Sequence, residues 1–188
     1  MAEMNFLEKL LVNNPLYNYL YRKTFLRWFL DKCELKGDCL EIGCGPGYTT
    51  AELKRRFRIK LTSIDIDEKE LEIARKRLGD SAEILQADAR KLPFKDNSFD
   101  CVIEMNAFHH IEDYKEAIAE CRRVLKKGGS FYLLDIGRYF FWPVLQAMEH
   151  FDGSFTREEM ENDLRKAGFE IKKASGKNLF SIHAIAKR

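Results

Sequence analysis

The sequence predicts an α/β domain with a doubly wound, mostly parallel seven-stranded sheet that contains one antiparallel strand. Apolar segments of strand character alternate repeatedly with amphipathic helical segments between residues 38 and 136. A glycine-rich loop follows the first predicted strand, where ligand-binding loops lie in such sheets. The last two predicted strands follow each other without a helix, so one of them should be antiparallel.

The first predicted elements are helical. Aromatic residues and leucines recur at helical spacing over residues 5–32, which predicts two helices followed by a turn at Lys36-Gly37. The next strand is predicted over 38–43, and a helix over 47–57 ends in three basic residues, which suit a helix C-terminus.

The alternation continues through the middle of the chain. Strands are expected over 60–65 and 82–88, where apolar and β-branched residues lie between turn-forming residues. Between them, residues 68–79 form an amphipathic pattern that ends at Gly79, which predicts a helix closed by glycine.

The second half repeats this arrangement. A strand over 100–105 precedes a helix predicted over 113–129, with Lys126 and Lys127 in its last turn. Further elements are predicted at a strand over 130–136, a helix over 156–168 that opens with the capping-box pair Thr156 and Glu159, and two strands over 169–175 and 180–187.

Composition narrows the class of protein. The chain has 188 residues, of which 45% are hydrophobic and 33% charged, enough for one domain with a full core. The formal net charge of +2 is far from the basic field of nucleic-acid binders. The chain lacks an apolar run of the roughly 18–20 residues that span a bilayer, and its acidic N-terminus is no signal peptide. We expect a cytoplasmic protein with no nucleic-acid partner and no stable membrane insertion.

The five cysteines support the same compartment. Their number is odd, and none is in C-x-x-C spacing. We therefore expect reduced, mostly buried thiols, as in cytoplasmic proteins.

The loop LEIGCGPGYTT (40–50) indicates the type of ligand. Its glycines are Gly43, Gly45 and Gly47. A dinucleotide fingerprint needs glycine where Tyr48 stands, and a phosphate-binding P-loop needs a lysine that this loop lacks. Glu41 precedes the loop, and a carboxylate suits a cationic or amine-bearing ligand better than a pyrophosphate. The glycines allow the backbone to approach such a ligand closely.

These residues resemble motif I of the class I S-adenosylmethionine-dependent methyltransferases. The similarity continues in order: Asp65 ends the second predicted strand, ADARKLPF (87–94) follows the third, and DNSFDCVIEMNAFHHI (96–111) is similar to the fourth strand and its exit loop. LKKGGSFYLLD (125–135) resembles the turn into the fifth strand. The pattern is closest to the small-molecule, type 11-like branch, which implies a Rossmann-like methyltransferase fold.

The resemblance implies S-adenosyl-L-methionine as methyl donor and S-adenosyl-L-homocysteine as product, with no metal. It implies that Asp65 binds the ribose hydroxyls and that Asp88 binds the adenine amino group. In resembling enzymes the N-terminal segment often folds over the methionine end of the cofactor, and amphipathic core packing is the alternative, and slightly favoured, explanation for this segment. The expected cofactor-binding residues are Glu41, Gly43, Cys44, Gly45, Gly47, Asp65, Ile66, Asp88, Ala89, Glu104, Asn106 and Tyr21.

The implied chemistry is in-line displacement at the sulfonium methyl group, for which the protein mainly supplies alignment and desolvation. A general base is needed only where the acceptor must lose a proton. The catalytic residues stay open at this point: His109, His110 and Glu104 are the candidates, and helix-start packing is the alternative for the two histidines.

The parts of the chain are expected to divide the work within a single domain, 1–188. They are an N-terminal helical cap (1–36), a cofactor-binding core (37–135), a substrate-side insertion (136–155), and a closing helix with two strands (156–188). Phe140, Phe141 and Trp142 in the insertion indicate an apolar wall or lid, suited to a small quinone-like or lipid-like acceptor. The protein is expected as a monomer or homodimer.

Two other functions are open. The basic stretch KRRFRIK (54–60) is compatible with an RNA or protein methyltransferase, although a solvated face is its simpler explanation. The other alternative is a cofactor-binding partner subunit that has lost catalysis.

Overall fold

The computed structural model describes residues 22–136, 155–175 and 182–188, together with positions 14, 16 and 19. Its strands are β1 (Asp38–Ile42), β2 (Lys60–Asp65), β3 (Glu83–Gln86), β4 (Phe99–Met105), β5 (Leu125–Asp135), β6 (Glu170–Ser175) and β7 (Ile182–Lys187). Its α-helices are α1 (Arg27–Leu30), α2 (Tyr48–Arg56), α3 (Glu68–Leu78), α4 (Tyr114–Val124) and α5 (Arg157–Lys166).

The strands form one seven-stranded sheet in the order β3-β2-β1-β4-β5-β7-β6. Strands β1 to β5 pair in parallel, and β7 is antiparallel to both of its neighbours, β5 and β6. The predicted fold class is therefore confirmed, including its one antiparallel strand. The strand order reverses between β1 and β4, and this switch point is where ligands bind in doubly wound sheets.

Helices cover both faces of the sheet. Because side chains alternate between the faces along each strand, every strand contributes residues to the packing on both sides. In β5, Phe131 and Leu133 join the buried core that contains α4 and α5 residues. Tyr132 and Leu134 point the other way, into the core that contains α1 residues and Leu53 of α2. Two packed layers thus hold the strand ends in fixed positions.

The predicted end of the helix over 113–129 is wrong. Helix α4 ends at Val124, and β5 begins at Leu125, so Lys126 and Lys127 lie in extended chain. The reason is tertiary: the Lys126 ammonium lies 2.9 Å from Asp100 and 3.5 Å from Asp38, at the starts of β4 and β1. This ion-pair cluster outweighs the local preference for basic residues at a helix C-terminus.

The other predicted elements agree with the structure to within a few residues. Thr156 caps α5, and its capping box with Glu159 is formed, as predicted. Of the N-terminal helices, the described part is a π-helical turn, Arg22–Leu26, that continues into α1. Tyr21 and the aromatic cluster of the insertion, Phe140, Phe141 and Trp142, lie outside the described residues. None of the described helices is long and apolar enough to cross a membrane.

Candidate functional site

The residues singled out in the sequence converge at one edge of the sheet. Because β1 to β4 are parallel, the glycine loop after β1, Asp65 at the end of β2, the Asp88 turn after β3 and the exit loop of β4 all follow carboxyl ends. Carboxyl ends of parallel strands form the ligand-binding edge of such sheets. The predicted site residues of the described segments are thus brought together.

The three loop glycines have different surroundings. Gly43 has φ +70°, and a Cβ placed on it would lie 2.3 Å from the Cβ of Ala107 in the exit loop of β4. Gly47 has φ +79°, and its Cβ would lie 2.9 Å from Leu78 of α3. Gly45 has φ +48° and open space where its Cβ would be. Of the three glycines, only Gly45 therefore has open space beside its backbone; the other two allow close packing.

Glu41, in β1, stabilises the elements on either side of this loop. Its side chain is 1% exposed and accepts hydrogen bonds from the hydroxyls of Thr50 at 2.6 Å and Ser63 at 2.7 Å. Burial raises the pKa of Glu41 to about 7, although the two hydroxyl donors oppose this shift. Its carboxyl group ties β1 to α2 and β2.

Asp65 fastens the loop to the next helix. Its Oδ2 accepts the Gly45 amide at 2.8 Å, and its Oδ1 accepts the Asp67 amide at 3.0 Å. Burial raises the pKa of Asp65, while these backbone donors lower it. Asp67, rather than Asp65, caps α3, because its side chain accepts the Lys69 amide.

Asp88 is engaged by a partner that the sequence analysis missed. Its Oδ2 lies 2.7 Å from an Arg90 guanidinium nitrogen, and its Oδ1 accepts the Arg90 amide at 2.9 Å. These hydrogen bonds lower the pKa of Asp88. Nearby, Ala89 is fully buried, and the Ile66 carbonyl accepts the Gln86 side-chain amide.

The exit loop of β4 is organised by Glu104. This side chain is 0% exposed, and its Oε1 accepts the amides of Ala107 at 2.7 Å and Phe108 at 3.2 Å. Burial, followed by the charge of Asp135, raises the pKa of Glu104 well above its ordinary value. Asn106 has φ +56° in this loop, and its backbone amide donates a hydrogen bond to the carbonyl oxygen of Leu134 in β5 at 2.8 Å.

A buried histidine–aspartate pair lies beside Glu104. The Nδ1 atom of His109 is 2.5 Å from Oδ1 of Asp135, and the His109 amide donates to Oδ2 at 3.2 Å. Burial alone would raise the pKa of Asp135, but the adjacent His109 ring outweighs it and the pKa is lowered. The His110 ring lies 4.0 Å from the His109 ring, centroid to centroid.

Asp135 was missed in the sequence although a signal was present. It is an acidic residue at the end of an apolar strand, the same pattern that singled out Glu104 and Asp65. An acidic side chain in that position must be paired or neutral, because an isolated buried charge is very costly. Applied uniformly, that argument would have included Asp135.

Two other kinds of site find little support. Among the described residues there is no cluster of three or more His, Cys, Asp or Glu side chains that could hold a metal ion. The basic stretch 54–60 has three of its charges paired: Arg55 with Glu52, Arg56 with Asp31, and Lys60 with Asp38. These carboxylates offset part of the positive charge that would attract a phosphate backbone.

Comparison with known proteins identifies the family of this chain. The family described as "Methyltransferase domain" matches residues 40–133, half of the chain. A demethylmenaquinone methyltransferase of Thermotoga maritima is 39% identical over 98 residues, which is 52% of this chain and 42% of that protein. The chain spans about half the length, or less, of the curated relatives it matches.

Solved structures agree on the fold. A Pyrococcus horikoshii protein superposes with a TM-score of 0.79 at 21% identity, over 94% of this chain and 92% of that one. An S-adenosylmethionine-dependent methyltransferase of Thermotoga maritima has a TM-score of 0.68 at 25% identity, over 90% and 97% of the two chains.

The family match contains the glycine loop, Asp65, Asp88 and Glu104. S-adenosylmethionine is the methyl donor of this family, as the resemblance implied. The family expectation is thereby confirmed: the chain belongs to the methyltransferase-domain family, as a class I S-adenosylmethionine-dependent member.

Proposed function

We propose that this chain binds S-adenosyl-L-methionine beyond the carboxyl ends of β1 to β3 and transfers its methyl group to a small hydrophobic acceptor. The observation that carries the proposal is the environment of Gly45. Its amide is held by buried Asp65, and the space where a side chain would stand is open. A rigid backbone with free space beside it suits the close approach of a ligand.

The cofactor would lie across three strand ends. Its methionine arm would pass Gly45 and Cys44, and its ribose would lie at Asp65. Each Asp65 oxygen accepts one backbone amide, and a carboxylate has about four acceptor sites, so capacity for hydroxyl donors remains. Gly43, Gly47 and Glu41 would act by shaping the loop.

The adenine would lie at Asp88, with Ile66 and Ala89 beside it. Since the Arg90 guanidinium binds the Asp88 carboxylate, the adenine amino group would share that carboxylate or displace the guanidinium. Asn106 and Glu104 would border the methyl-transfer side. Tyr21 stays a candidate from the sequence, within an N-terminal cap that we propose covers the methionine end.

The acceptor would be held on the side of β4 and β5, next to the cofactor across the switch point. The protein would align the acceptor atom with the sulfonium methyl group and exclude water. The apolar residues of the insertion 136–155 and the demethylmenaquinone named for one relative favour a hydroquinone-type acceptor. All five cysteines are buried free thiols, which fits the reducing cytoplasm. We expect a monomer or homodimer.

Calorimetry with S-adenosylmethionine, S-adenosylhomocysteine and NAD tests the cofactor. We expect binding of the first two and none of NAD. As a matched pair, Asp65→Asn should weaken S-adenosylhomocysteine binding at least about tenfold by removing one acceptor charge, while Asp163→Asn, in α5, should not. Tight binding of NAD alone would refute the proposal.

The acceptor class is tested with radiolabelled S-adenosylmethionine and three probes: 1,4-naphthohydroquinone, oleic acid and total RNA. Label in the hydroquinone or the fatty acid supports a small hydrophobic acceptor. Label in RNA, with binding that weakens steeply as salt rises, would replace it by the RNA alternative. Cofactor binding without transfer to any probe would favour the partner-subunit alternative.

A further inference from the structure

We propose that Asp135 is a positioning residue that makes Nε2 of His109 the proton acceptor of the methyl-transfer site. The inference rests on the methyltransferase function proposed above. It selects one base from the three candidates, and it gives a role to a residue outside that set.

The first step is the way Asp135 holds His109. One carboxylate oxygen faces the ring nitrogen Nδ1 at 2.5 Å, and the other accepts the backbone amide of the same residue at 3.2 Å. Gripping both the backbone and the ring of one residue fixes the position of the imidazole. A carboxylate accepts a hydrogen bond from a ring nitrogen that carries a proton. Nδ1 therefore carries the hydrogen, and Nε2 is the basic nitrogen of the neutral ring.

The second step concerns which buried carboxyl group carries a charge. Glu104 and Asp135 are both 0% exposed, and two buried carboxyls side by side cannot both ionise at low cost. Asp135 has the His109 ring beside it, whereas the Glu104 carboxyl faces Asp135 itself. The proton therefore resides on Glu104, which removes it as a base and leaves the negative charge on Asp135.

Among the described residues, the other titratable groups around this pair include the His110 imidazole, tilted 45° to the His109 ring, and the Cys121 thiol of α4, which faces Glu104. His110 contributes a second imidazole to the cluster. The two contacts of Asp135 with the backbone and the ring of His109 assign the positioned base to His109.

The third step is the location. The exit loop that carries His109 touches the cofactor loop directly, since Ala107 fills the space that a side chain at Gly43 would need. The base is therefore one strand away from the proposed cofactor, on the acceptor side of the switch point. An acceptor bound over the exit loop of β4 would have the methyl donor on one side and His109 on the other.

The chemical step balances as follows. The acceptor's proton moves to Nε2 of His109, and the electron pair left on the acceptor atom forms the bond to the methyl carbon. The carbon–sulfur bond breaks with its electrons going to sulfur, which gives neutral S-adenosylhomocysteine. The imidazolium that remains is stabilised by the Asp135 carboxylate until it releases its proton to water.

The direct test is proton and nitrogen NMR of the ¹⁵N-labelled protein with S-adenosylhomocysteine. We expect one imidazole N–H resonance far downfield, coupled to Nδ1 of His109, because the hydrogen bond to Asp135 is short and charged. It should be absent in His109→Gln and lost or moved upfield in Asp135→Asn. In Glu104→Gln it should persist, since that variant mimics a neutral acid. A resonance unchanged in Asp135→Asn, or a proton on Nε2 instead, would overturn the assignment.

Turnover of 1,4-naphthohydroquinone separates positioning from structure. Asp135→Asn should lower kcat roughly 10²-fold near neutral pH with KM within about threefold, and the deficit should shrink as rising pH ionises the acceptor directly. The matched control is Asp163→Asn, which removes the charge of a buried carboxylate that accepts the Tyr114 hydroxyl outside the site, and which should leave kcat unchanged. A deficit that is equal at all pH values would contradict the positioning role.

Failure of the two proposals can be told apart. If the unsubstituted protein methylates neither the hydroquinone nor oleic acid, the acceptor class proposed above is wrong, and the NMR comparison still decides the role of Asp135. If the protein methylates it and Asp135→Asn is as active as the unsubstituted chain, only the inference on Asp135 is overturned.

Discussion

Gly43, Gly45 and Gly47 share one loop and one backbone conformation but serve different neighbours. All three have positive φ, which disfavours any side chain. Gly43 additionally makes room for Ala107, and Gly47 for α3, whereas Gly45 has open space beside it. Substitution should therefore separate loss of folding stability from loss of ligand binding.

We predict that Gly45→Ala costs about 1 kcal/mol of unfolding free energy, from positive φ alone, and weakens S-adenosylhomocysteine binding at least about tenfold. Gly43→Ala should cost more, about 3 kcal/mol, because its Cβ also overlaps Ala107. Urea unfolding and calorimetry measure the two effects.

Gly128→Ala is the matched control for this pair. Gly128 also has positive φ and open space, but it lies near the start of β5, where its amide donates to the carbonyl of Arg188, outside the proposed site. It should lose the same stability as Gly45→Ala and keep full ligand affinity. Equal affinity in all three variants would show that the loop does not contact the cofactor.

Among the elements, α5 depends most clearly on a local signal. The Thr156 hydroxyl accepts the Glu159 amide at 3.1 Å, and the Glu159 carboxylate accepts the Thr156 amide at 2.7 Å. These bonds satisfy two amides that a helix N-terminus otherwise leaves unpaired. The preceding Phe155 and Met160 of the first turns are both fully buried in the same core.

We predict that Thr156→Ala lowers the free energy of unfolding by about 1 kcal/mol, because one capped amide loses its acceptor. Glu158→Ala, on an exposed position of the same turn, should change it by less than about 0.5 kcal/mol. Urea denaturation at constant pH gives both values. Equal losses of unfolding free energy in the two variants would mean that the capping-box hydrogen bonds do not stabilise α5.

Elements with a local signal were predictable from the sequence. The capping box of α5 and the strand over 60–65 are both set by neighbouring residues, and the structure has them as expected. The start of β5 was not predictable, because Lys126 is held by Asp38 and Asp100, which are distant in sequence.

The same distinction applies to the site. Motif spacing located the loop, Asp65 and Asp88 at one sheet edge. It could not reveal that Arg90 covers Asp88 or that Asp135 grips His109, since both are pairings of side chains in three dimensions. The roles of the loop glycines and Asp65 were assigned from spacing, and they are tested with the Gly45→Ala and Asp65→Asn variants.

For the molecule as a whole, buried carboxyl groups contribute to the way in which the free energy of unfolding depends on pH. Burial raises the pKa of Glu41 to about 7, and it also raises the pKa values of Asp65 and Glu104. Each group binds its proton more tightly in the folded state than in the unfolded state. The contribution of these three carboxyl groups to the free energy of unfolding should therefore fall as pH rises from about 5 to 7, whereas His183, whose pKa burial lowers to about 4, contributes a rise over much of the same range.

We predict that Glu41→Gln makes this fall shallower, by about 2 kcal/mol over that range, because one titrating group is removed while an acceptor for Thr50 and Ser63 remains. Urea unfolding at pH 5, 6 and 7 measures it. Glu112→Gln, at an exposed position, should run parallel to the unsubstituted protein. A slope unaffected by Glu41→Gln would show that this carboxyl is not a source of the pH dependence.

The contact between Gly43 and Ala107 has an evolutionary consequence. The two positions share one small volume, so a chain that gains a larger residue at 107 must also move the loop that begins at 43. Changes of acceptor preference that pass through position 107 would thus carry a penalty in methyl-donor affinity. Lineages that diversify their acceptors are expected to vary instead at positions that do not adjoin this shared space, and an engineer should begin there too.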